Sequence, residues 1–159
     1  MKSASPSIQG ESVHAFHPTR EGYLPHDLAR LMNALDLRLL EHLRVLKFSP
    51  QKYRVLQIVA ELEPISVGEV ARVAVIEHSV VSRMIDQLQV RKLVSKAKRR
   101  GNARVVDVRL TAEGREVANE IQPMAESIVK FATEILSADE LTVLVKTLAK
   151  LYRRVTDPS

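Results

Sequence analysis

The stretch Ser66–Val94 decides the fold of this chain, and it reads SVGEVARVAVIEHSVVSRMIDQLQVRKLV. Its first four residues have the spacing of a capping box, in which the serine hydroxyl and the glutamate carboxylate each satisfy a free backbone N–H. The box predicts a short helix that runs to about Val73. A brief turn at Ala74–Ile76 separates it from a longer helix, expected from about Glu77 to Lys92.

The longer helix has one apolar face and one polar face. Val81, Ile85 and Leu88 have the helical spacing of a buried stripe. The side chains expected on the exposed face are His78, Ser79, Ser82 and Arg83.

A β-hairpin is predicted next. Leu93–Lys98 reads as a short strand, and Arg104–Leu110 alternates between apolar and polar residues, as a half-buried strand does. The turn at Arg99–Ala103 contains Gly101 and gives the hairpin a basic tip. Helix, tight turn, helix and hairpin in this order are typical of a winged helix-turn-helix, whose second helix fits a major groove about 12 Å wide.

Long helices are predicted on both sides of this motif. Leucines at helical spacing indicate a first helix over Leu24–Leu46, with a stripe broad enough to need cover from a partner chain. Ser49-Pro50 begins a second helix, with serine as N-cap and proline at the first helical position, and Glu63-Pro64 ends it.

Two further helices are predicted after the hairpin. Thr111 caps a long helix, which Pro123 is expected to kink or break. Ser137 and Glu140 form a second capping box, which begins a final helix that ends near Arg154.

Composition narrows the functional class. The 159 residues are 45% hydrophobic and include only five glycines, which favours helices over a β-barrel or sandwich. The absence of cysteine excludes disulfides, thiolate zinc sites and a cysteine nucleophile, and it fits a cytoplasmic protein. Neither a signal peptide nor a membrane span is expected. No catalytic motif or cofactor-binding motif is recognisable, so the sequence predicts no enzyme activity.

The positive charge is concentrated in the predicted DNA-binding motif. Residues 66–104 hold nine Lys or Arg and three acidic residues, a net charge of +6 in a chain whose total is +5. Such focusing suits contact with a phosphate backbone.

The motif resembles the DNA-binding core of the multiple-antibiotic-resistance regulator (MarR) family. The resemblance rests on Ser66–Val94, on RRGNARVVDVRLTAEGREV at Arg99–Val117, and on Leu110–Gly114 as the strand-to-helix junction. It extends over roughly Leu24–Arg154. It implies a homodimer that binds pseudo-palindromic double-stranded DNA, usually as a repressor, and that releases DNA when a small aromatic or anionic ligand binds.

The domain organisation follows from this resemblance. We expect a flexible N-terminal arm at residues 1–22, a helical dimerisation region at 23–47 and 112–155, and the winged helix-turn-helix at 48–111, all within one integrated domain.

The resemblance also implies which side chains contact DNA. On the exposed helix face Arg83 is expected to bind guanine or phosphate, or else to pair with Asp86. At the wing, the family often has Asp-x-Arg, whereas this chain has Asn102-Ala103-Arg104, so Arg104 is held by a weaker, neutral hydrogen bond. The DNA-binding residues predicted in total are Ser66, His78, Ser79, Ser82, Arg83, Lys98, Arg99, Arg100, Asn102 and Arg104.

A ligand pocket is expected between the first, second and fifth helices, with Arg38, His42 and Tyr53 as candidate lining residues. Each is equally open to a packing or salt-bridge role. The histidines have no convergent spacing, so no metal site is predicted. The alternative function is a winged-helix module for protein–protein assembly or RNA binding, because a fold does not fix a function.

Overall fold

The computed structural model describes residues 22–156. The predicted N-terminal arm lies outside the described residues, apart from Gly22. The chain divides into two compact units, one up to Leu37 and one from Arg38 onward. The helix α1, Leu24–Leu43, contains this division. The helix-turn-helix, the wing and the pockets lie in the second unit.

The second unit is mainly helical and contains one small antiparallel sheet, in the strand order β1-β3-β2. This confirms the predicted fold class. The elements after α1 are α2 Pro50–Leu62, β1 Ile65–Ser66, α3 Val67–Ala74, α4 His78–Val90, β2 Val94–Arg99, β3 Asn102–Leu110, α5 Ala112–Thr133 and α6 Ala138–Thr156.

Local sequence signals set most of the helix starts. Ser49 caps α2 by accepting a hydrogen bond from the Lys52 N–H at 3.2 Å, with Pro50 as the first helical residue. Thr111 caps α5 in the same way, through the Gly114 N–H at 3.0 Å. Both predicted capping boxes, at the start of α3 and of α6, are also confirmed.

The first helix is shorter than predicted. It ends at Leu43, whose carbonyl accepts hydrogen bonds from both the Leu46 and the Phe48 N–H groups. Lys47 adopts the left-handed conformation, with φ of 55°, and this turns the chain out of the helix. Leucines continue at helical spacing to Leu46, but the α-helical pattern of backbone hydrogen bonds ends before that residue.

Of the two effects predicted for Pro123, a kink or a break of the fifth helix, the break is wrong. The helix α5 continues from Ala112 to Thr133 with Pro123 inside it. Ala118 and Ile121 before the proline, and Ile128 after it, are all buried. Packing on both sides of Pro123 therefore outweighs the loss of one backbone hydrogen bond.

The apolar core fixes the position of α4. Val81, Ile85 and Leu88 are fully buried, as their spacing predicted. They belong to a single cluster with α2 residues such as Leu56 and with Val108 of β3. The opposite face of α4 is consequently held towards solvent.

The junction between β2 and α5 leaves no room for a side chain at Gly114. A Cβ atom built on Gly114 would lie 1.9 Å from the Leu93 carbonyl oxygen and 2.8 Å from its carbon. The same carbonyl accepts the Thr111 N–H at 3.1 Å, and the Thr111 hydroxyl donates to the Lys92 carbonyl at 2.6 Å. These contacts fix the start of α5 against the residues that directly precede β2.

We expect Gly114→Ala to lower the free energy of unfolding by roughly 1–3 kcal/mol, because the new methyl group collides with backbone rather than with a flexible side chain. Gly68→Ala in α3 is the matched control, since its Cβ meets only the His78 ring, at 4.0 Å. The control should be neutral or stabilising by about 0.5–1 kcal/mol, from helix propensity alone. Urea denaturation at one protein concentration measures both, and equal effects of the two substitutions would contradict the account.

Candidate nucleic-acid interface

The turn between α3 and α4 is short and well ordered by hydrogen bonds. Val75 ends α3 in the left-handed conformation, with φ of 54°, and the Ile76 N–H donates to the Ala71 carbonyl at 3.1 Å. With the apolar face of α4 in the core, His78, Ser79 and Arg83 are exposed and Ser82 is half-buried. The predicted exposed face of α4 is therefore confirmed.

A cleft of about 340 Å³ lies between the start of α3, the start of α4 and the wing. It brings together four of the predicted DNA-binding residues, Ser66, His78, Ser82 and Arg104, and Gly68 and Val106 also line it. These residues are up to 38 positions apart in the sequence, and the sheet and the core place them on one surface.

Ser66 has no free donor of its own at this cleft. Its N–H and its hydroxyl both donate to one carboxylate oxygen of Glu69, at 2.9 and 2.6 Å. These bonds, with a further one from Arg99, lower the pKa of the Glu69 carboxyl to about 2. Ser66 thus orders the start of α3, and the backbone N–H groups of Val67 and Gly68 are the donors that remain there.

The Ser79 hydroxyl donates to the carboxylate of Glu77, which is the N-cap of α4. The Ser79 N–H donates to the other oxygen of that carboxylate at 3.2 Å. These hydrogen bonds lower the pKa of Glu77, so it is charged at neutral pH. While this arrangement holds, Ser79 offers lone pairs, which suit a base amino group better than a phosphate.

Arg83 makes no ion pair with any of the residues 22–156. The Asp86 carboxylate, its alternative partner, instead pairs with Lys96 of β2. This salt bridge joins the recognition helix α4 to the wing, and it leaves the Arg83 guanidinium directed to solvent.

The wing is irregular where Arg104 lies. The ladder runs regularly from Val94↔Leu110 to Lys98↔Val106, and the next pair is Arg99↔Asn102. Residues 103–105 of β3 thus have no partner in the ladder and form an irregular bulge. The Asn102 side chain accepts the Arg104 backbone N–H at 3.2 Å, so it supports the bulge and not the guanidinium as predicted.

Arg99 differs from the other basic residues of the wing. Its guanidinium forms hydrogen bonds with both Asp107 carboxylate oxygens, at 2.7–3.1 Å, and with Glu69 at 3.1 Å. These contacts raise the pKa of Arg99. Lys98, Arg100 and Arg104 are exposed instead. The structure therefore places Arg99 in an intramolecular network, whereas the sequence had grouped it with the DNA contacts.

Glu63 is a second residue whose role the sequence did not reveal. One carboxylate oxygen accepts the Leu110 N–H at 2.6 Å and the other pairs with Arg115 of α5. Despite the desolvation of Glu63, the hydrogen bonds from Arg115 and Leu110 lower its pKa. Its only sequence signal was its place before Pro64, where it marks the end of α2.

A polar pocket of about 240 Å³ lies between α2 and α5. Tyr53 lines it with Gln57, Glu61, Arg115, Asn119 and Gln122. Tyr53 is 3% exposed, and its hydroxyl has no hydrogen-bond partner among the described residues. Burial and the nearby Glu126 and Glu61 raise its pKa.

The other two candidate pocket residues lie elsewhere. Arg38 stacks over the Phe131 ring at 4.6 Å, and His42 is exposed on α1. The pocket beside Tyr53 is lined by α2 and α5, and an effector pocket that also includes α1 stays a prediction. Within residues 22–156, no three His, Asp or Glu side chains group as metal ligands, and no helix there is long and apolar enough to cross a bilayer.

The comparisons with known proteins agree with this geometry. A family model described as MarR family matches residues 46–104, from the start of α2 to the wing bulge. A MarR family transcriptional regulator from Silicibacter pomeroyi DSS superposes with a TM-score of 0.81 at 25% identity, over 91% of this chain and 99% of that chain. The chain is therefore similar to MarR-family transcriptional regulators, in its helix-turn-helix and wing and in its overall fold.

Two further proteins extend the comparison. The uncharacterised HTH-type transcriptional regulator YsmB of Bacillus subtilis (strain 168) is 26% identical over 107 residues, 67% of this chain and 73% of YsmB. Bordetella bronchiseptica BpsR, whose DNA binding is regulated by 6-hydroxynicotinic acid, has the same fold, with a TM-score of 0.74 at 24% identity. That similarity covers 91% of this chain and 99% of BpsR.

We expect Arg104→Ala to weaken binding to duplex DNA by roughly 1–3 kcal/mol, because Arg104 is exposed at the bulge and lines the cleft. Arg153→Ala on α6 removes the same charge outside the cleft and should leave affinity nearly unchanged. Fluorescence anisotropy with labelled duplex measures both. Equal affinities of the wild type and Arg104→Ala would remove Arg104 from the interface.

Proposed function

We propose that this chain is a MarR-family transcriptional regulator, a cytoplasmic homodimer that binds a pseudo-palindromic operator and represses transcription until a small aromatic or anionic ligand releases it. Two features together carry the proposal: the cleft between α3, α4 and the wing, and the helix α6, which has no buried residue. DNA binds at the cleft, and two copies of the chain associate through the exposed face of α6.

The apolar stripe of α6 supports the dimer. Leu144, Leu148 and Leu151 are 42%, 37% and 42% exposed, and Val145 and Tyr152 beside them are more than half exposed. Burying a leucine side chain is worth roughly 1.5–3 kcal/mol, so a helix that leaves several uncovered gains much from a partner. A second copy of the chain presents the same stripe, as a two-fold interface requires.

The first unit supports the same inference independently. Its part of α1 leaves large apolar side chains exposed, among them Leu24, Leu31, Met32 and Leu37. The breadth of this leucine stripe also predicts that it needs cover from a partner chain. Two exposed apolar helices in one chain are more than a monomeric soluble protein normally leaves uncovered.

The proposed DNA contacts follow from what each side chain has free. Arg83 is free to bind guanine or phosphate through its planar fork. His78, Ser82 and the α3 N–H groups of Val67 and Gly68 face the same cleft. Exposed Lys98 and Arg100 extend the positive charge along the wing. Two such surfaces related by a two-fold axis match two half-sites about one DNA turn apart.

We expect Leu148→Glu to shift the protein from dimer to monomer and to weaken operator binding together, because the charge lies in the centre of the α6 stripe. Lys146→Gln is the matched control: it changes the net charge equally and lies on the opposite face of α6. Sedimentation equilibrium gives the mass, and anisotropy gives the affinity. A wild-type protein that is monomeric at micromolar concentration, or a Leu148→Glu dimer, would contradict the proposed interface.

The ligand response is proposed for the pocket beside Tyr53. Its unpartnered hydroxyl and the nearby amide groups offer hydrogen bonds, and Arg115 offers positive charge to an anion. The pocket joins α2 of the helix-turn-helix region to α5, so a ligand there changes how the wing and the long helices meet. BpsR, with the same fold, responds to an aromatic carboxylate.

We expect Tyr53→Phe to leave the free energy of unfolding unchanged or to raise it by up to about 1–2 kcal/mol, because it removes a buried hydroxyl that has no partner. We also expect 6-hydroxynicotinic acid to raise the melting temperature of the wild type, and we expect Tyr53→Phe to reduce this rise. A loss of stability in Tyr53→Phe would mean that the hydroxyl has a partner in the free protein. An equal thermal shift in both proteins would place the ligand elsewhere.

A further inference from the structure

The network around Arg99 joins three separate parts of the DNA-binding unit. Arg99 is the last residue of β2, Asp107 lies in the middle of β3, and Glu69 lies in the first turn of α3. Ser66 completes the set, because it pairs with Asp107 across the β1–β3 ladder and also forms the capping box with Glu69. One guanidinium therefore links the wing to the helix-turn-helix.

The geometry of this contact is specific to arginine. The Nε–H and one terminal nitrogen donate to the Asp107 carboxylate, and the same terminal nitrogen also reaches Glu69 at 3.1 Å. A planar fork that binds two carboxylates in this way fixes orientation as well as distance. A lysine has no such fork, so it cannot reproduce the two contacts at the same angles.

Nearby carboxylates neutralise the positive charge of Arg99, whereas a side chain that binds DNA keeps its charge available for phosphate. The Arg99 side chain is 38% exposed, and the side chains of its partners Asp107 and Glu69 are 14% and 46% exposed. A guanidinium between two carboxylates offers a phosphate little net attraction. The neighbouring Lys98 and Arg100 form no salt bridge with an acidic residue among residues 22–156, so their charge remains available to a phosphate.

We propose that Arg99 is a positioning residue, which sets the wing relative to the recognition helix by joining Asp107 to Glu69, and that it does not itself contact DNA. This inference rests on the DNA-binding function stated above. It assigns a positive role in DNA binding to two acidic residues, although negative charges near DNA would ordinarily weaken binding.

The proposal therefore predicts an effect of opposite sign to simple electrostatics. Asp107→Asn and Glu69→Gln each remove a negative charge from the DNA-binding unit, and charge alone would tighten binding. We expect both to weaken it instead, by about 2- to 30-fold, as is typical of substitutions that act through geometry. Glu69→Gln retains the capping box, because glutamine serves at that position, so α3 stays capped.

The experiment is anisotropy with two probes, a duplex enriched by the wild type from a random pool and a random-sequence duplex, across a salt series. Circular dichroism and stoichiometric titration with DNA give the fraction of folded, binding-competent protein, and the measured affinities are corrected for this fraction. Glu116→Gln, an exposed carboxylate on α5 outside the network, is the matched control and should change affinity less than about 2-fold. Failure of the wild type to bind either duplex would instead contradict the DNA-binding function itself.

The Arg99 variants separate positioning from direct contact. Loss of a phosphate contact lowers the slope of log affinity against log salt by about 0.9. For Arg99→Ala we expect weaker binding with an unchanged slope, and for Arg99→Lys an affinity between those of Arg99→Ala and the wild type. A reduced slope, tighter or unchanged binding by Asp107→Asn and Glu69→Gln, or a loss of stability with full affinity in the folded fraction would each overturn the proposal.

Discussion

Ser66 belongs to two elements at once, and the arrangement of the DNA-binding unit depends on this. It is the last residue of β1, paired with Asp107 of β3, and it is also the N-cap of α3. The sheet that carries the wing and the helix pair that carries the recognition surface are therefore joined at this residue. Glu69 of α3 and Arg99 of β2 stabilise this junction, because the Glu69 carboxylate accepts hydrogen bonds from the Ser66 N–H and from the Arg99 guanidinium.

The sequence predicts this fold well wherever a signal acts over a few residues. Capping boxes, Pro50, Thr111 and the apolar face of α4 all act within one or two helical turns, and each is found as predicted. The predictions failed where a longer range decides the outcome. Pro123 is tolerated because the residues on both sides of it pack into the core, and such packing cannot be read from the proline itself.

In the candidate site, too, local features can be predicted from the sequence and long-range contacts cannot. Its basic residues are visible as charge along residues 66–104, but which of them are free is decided by acids far away in sequence. Arg99 is engaged by Glu69, 30 residues away, whereas Arg83 remains without its expected partner because Asp86 pairs with Lys96. Charge counting treats these arginines alike, and only the fold separates a guanidinium available to DNA from one used internally.

We propose that the cleft and the wing read a two-fold symmetric DNA sequence, and selection of bound duplexes from a random pool by the purified full chain at moderate salt tests this proposal. We expect enrichment of a palindromic site with half-sites about one helical turn apart. Recovery of duplexes with no preferred sequence would contradict it and would favour a winged-helix module that assembles with protein or binds RNA.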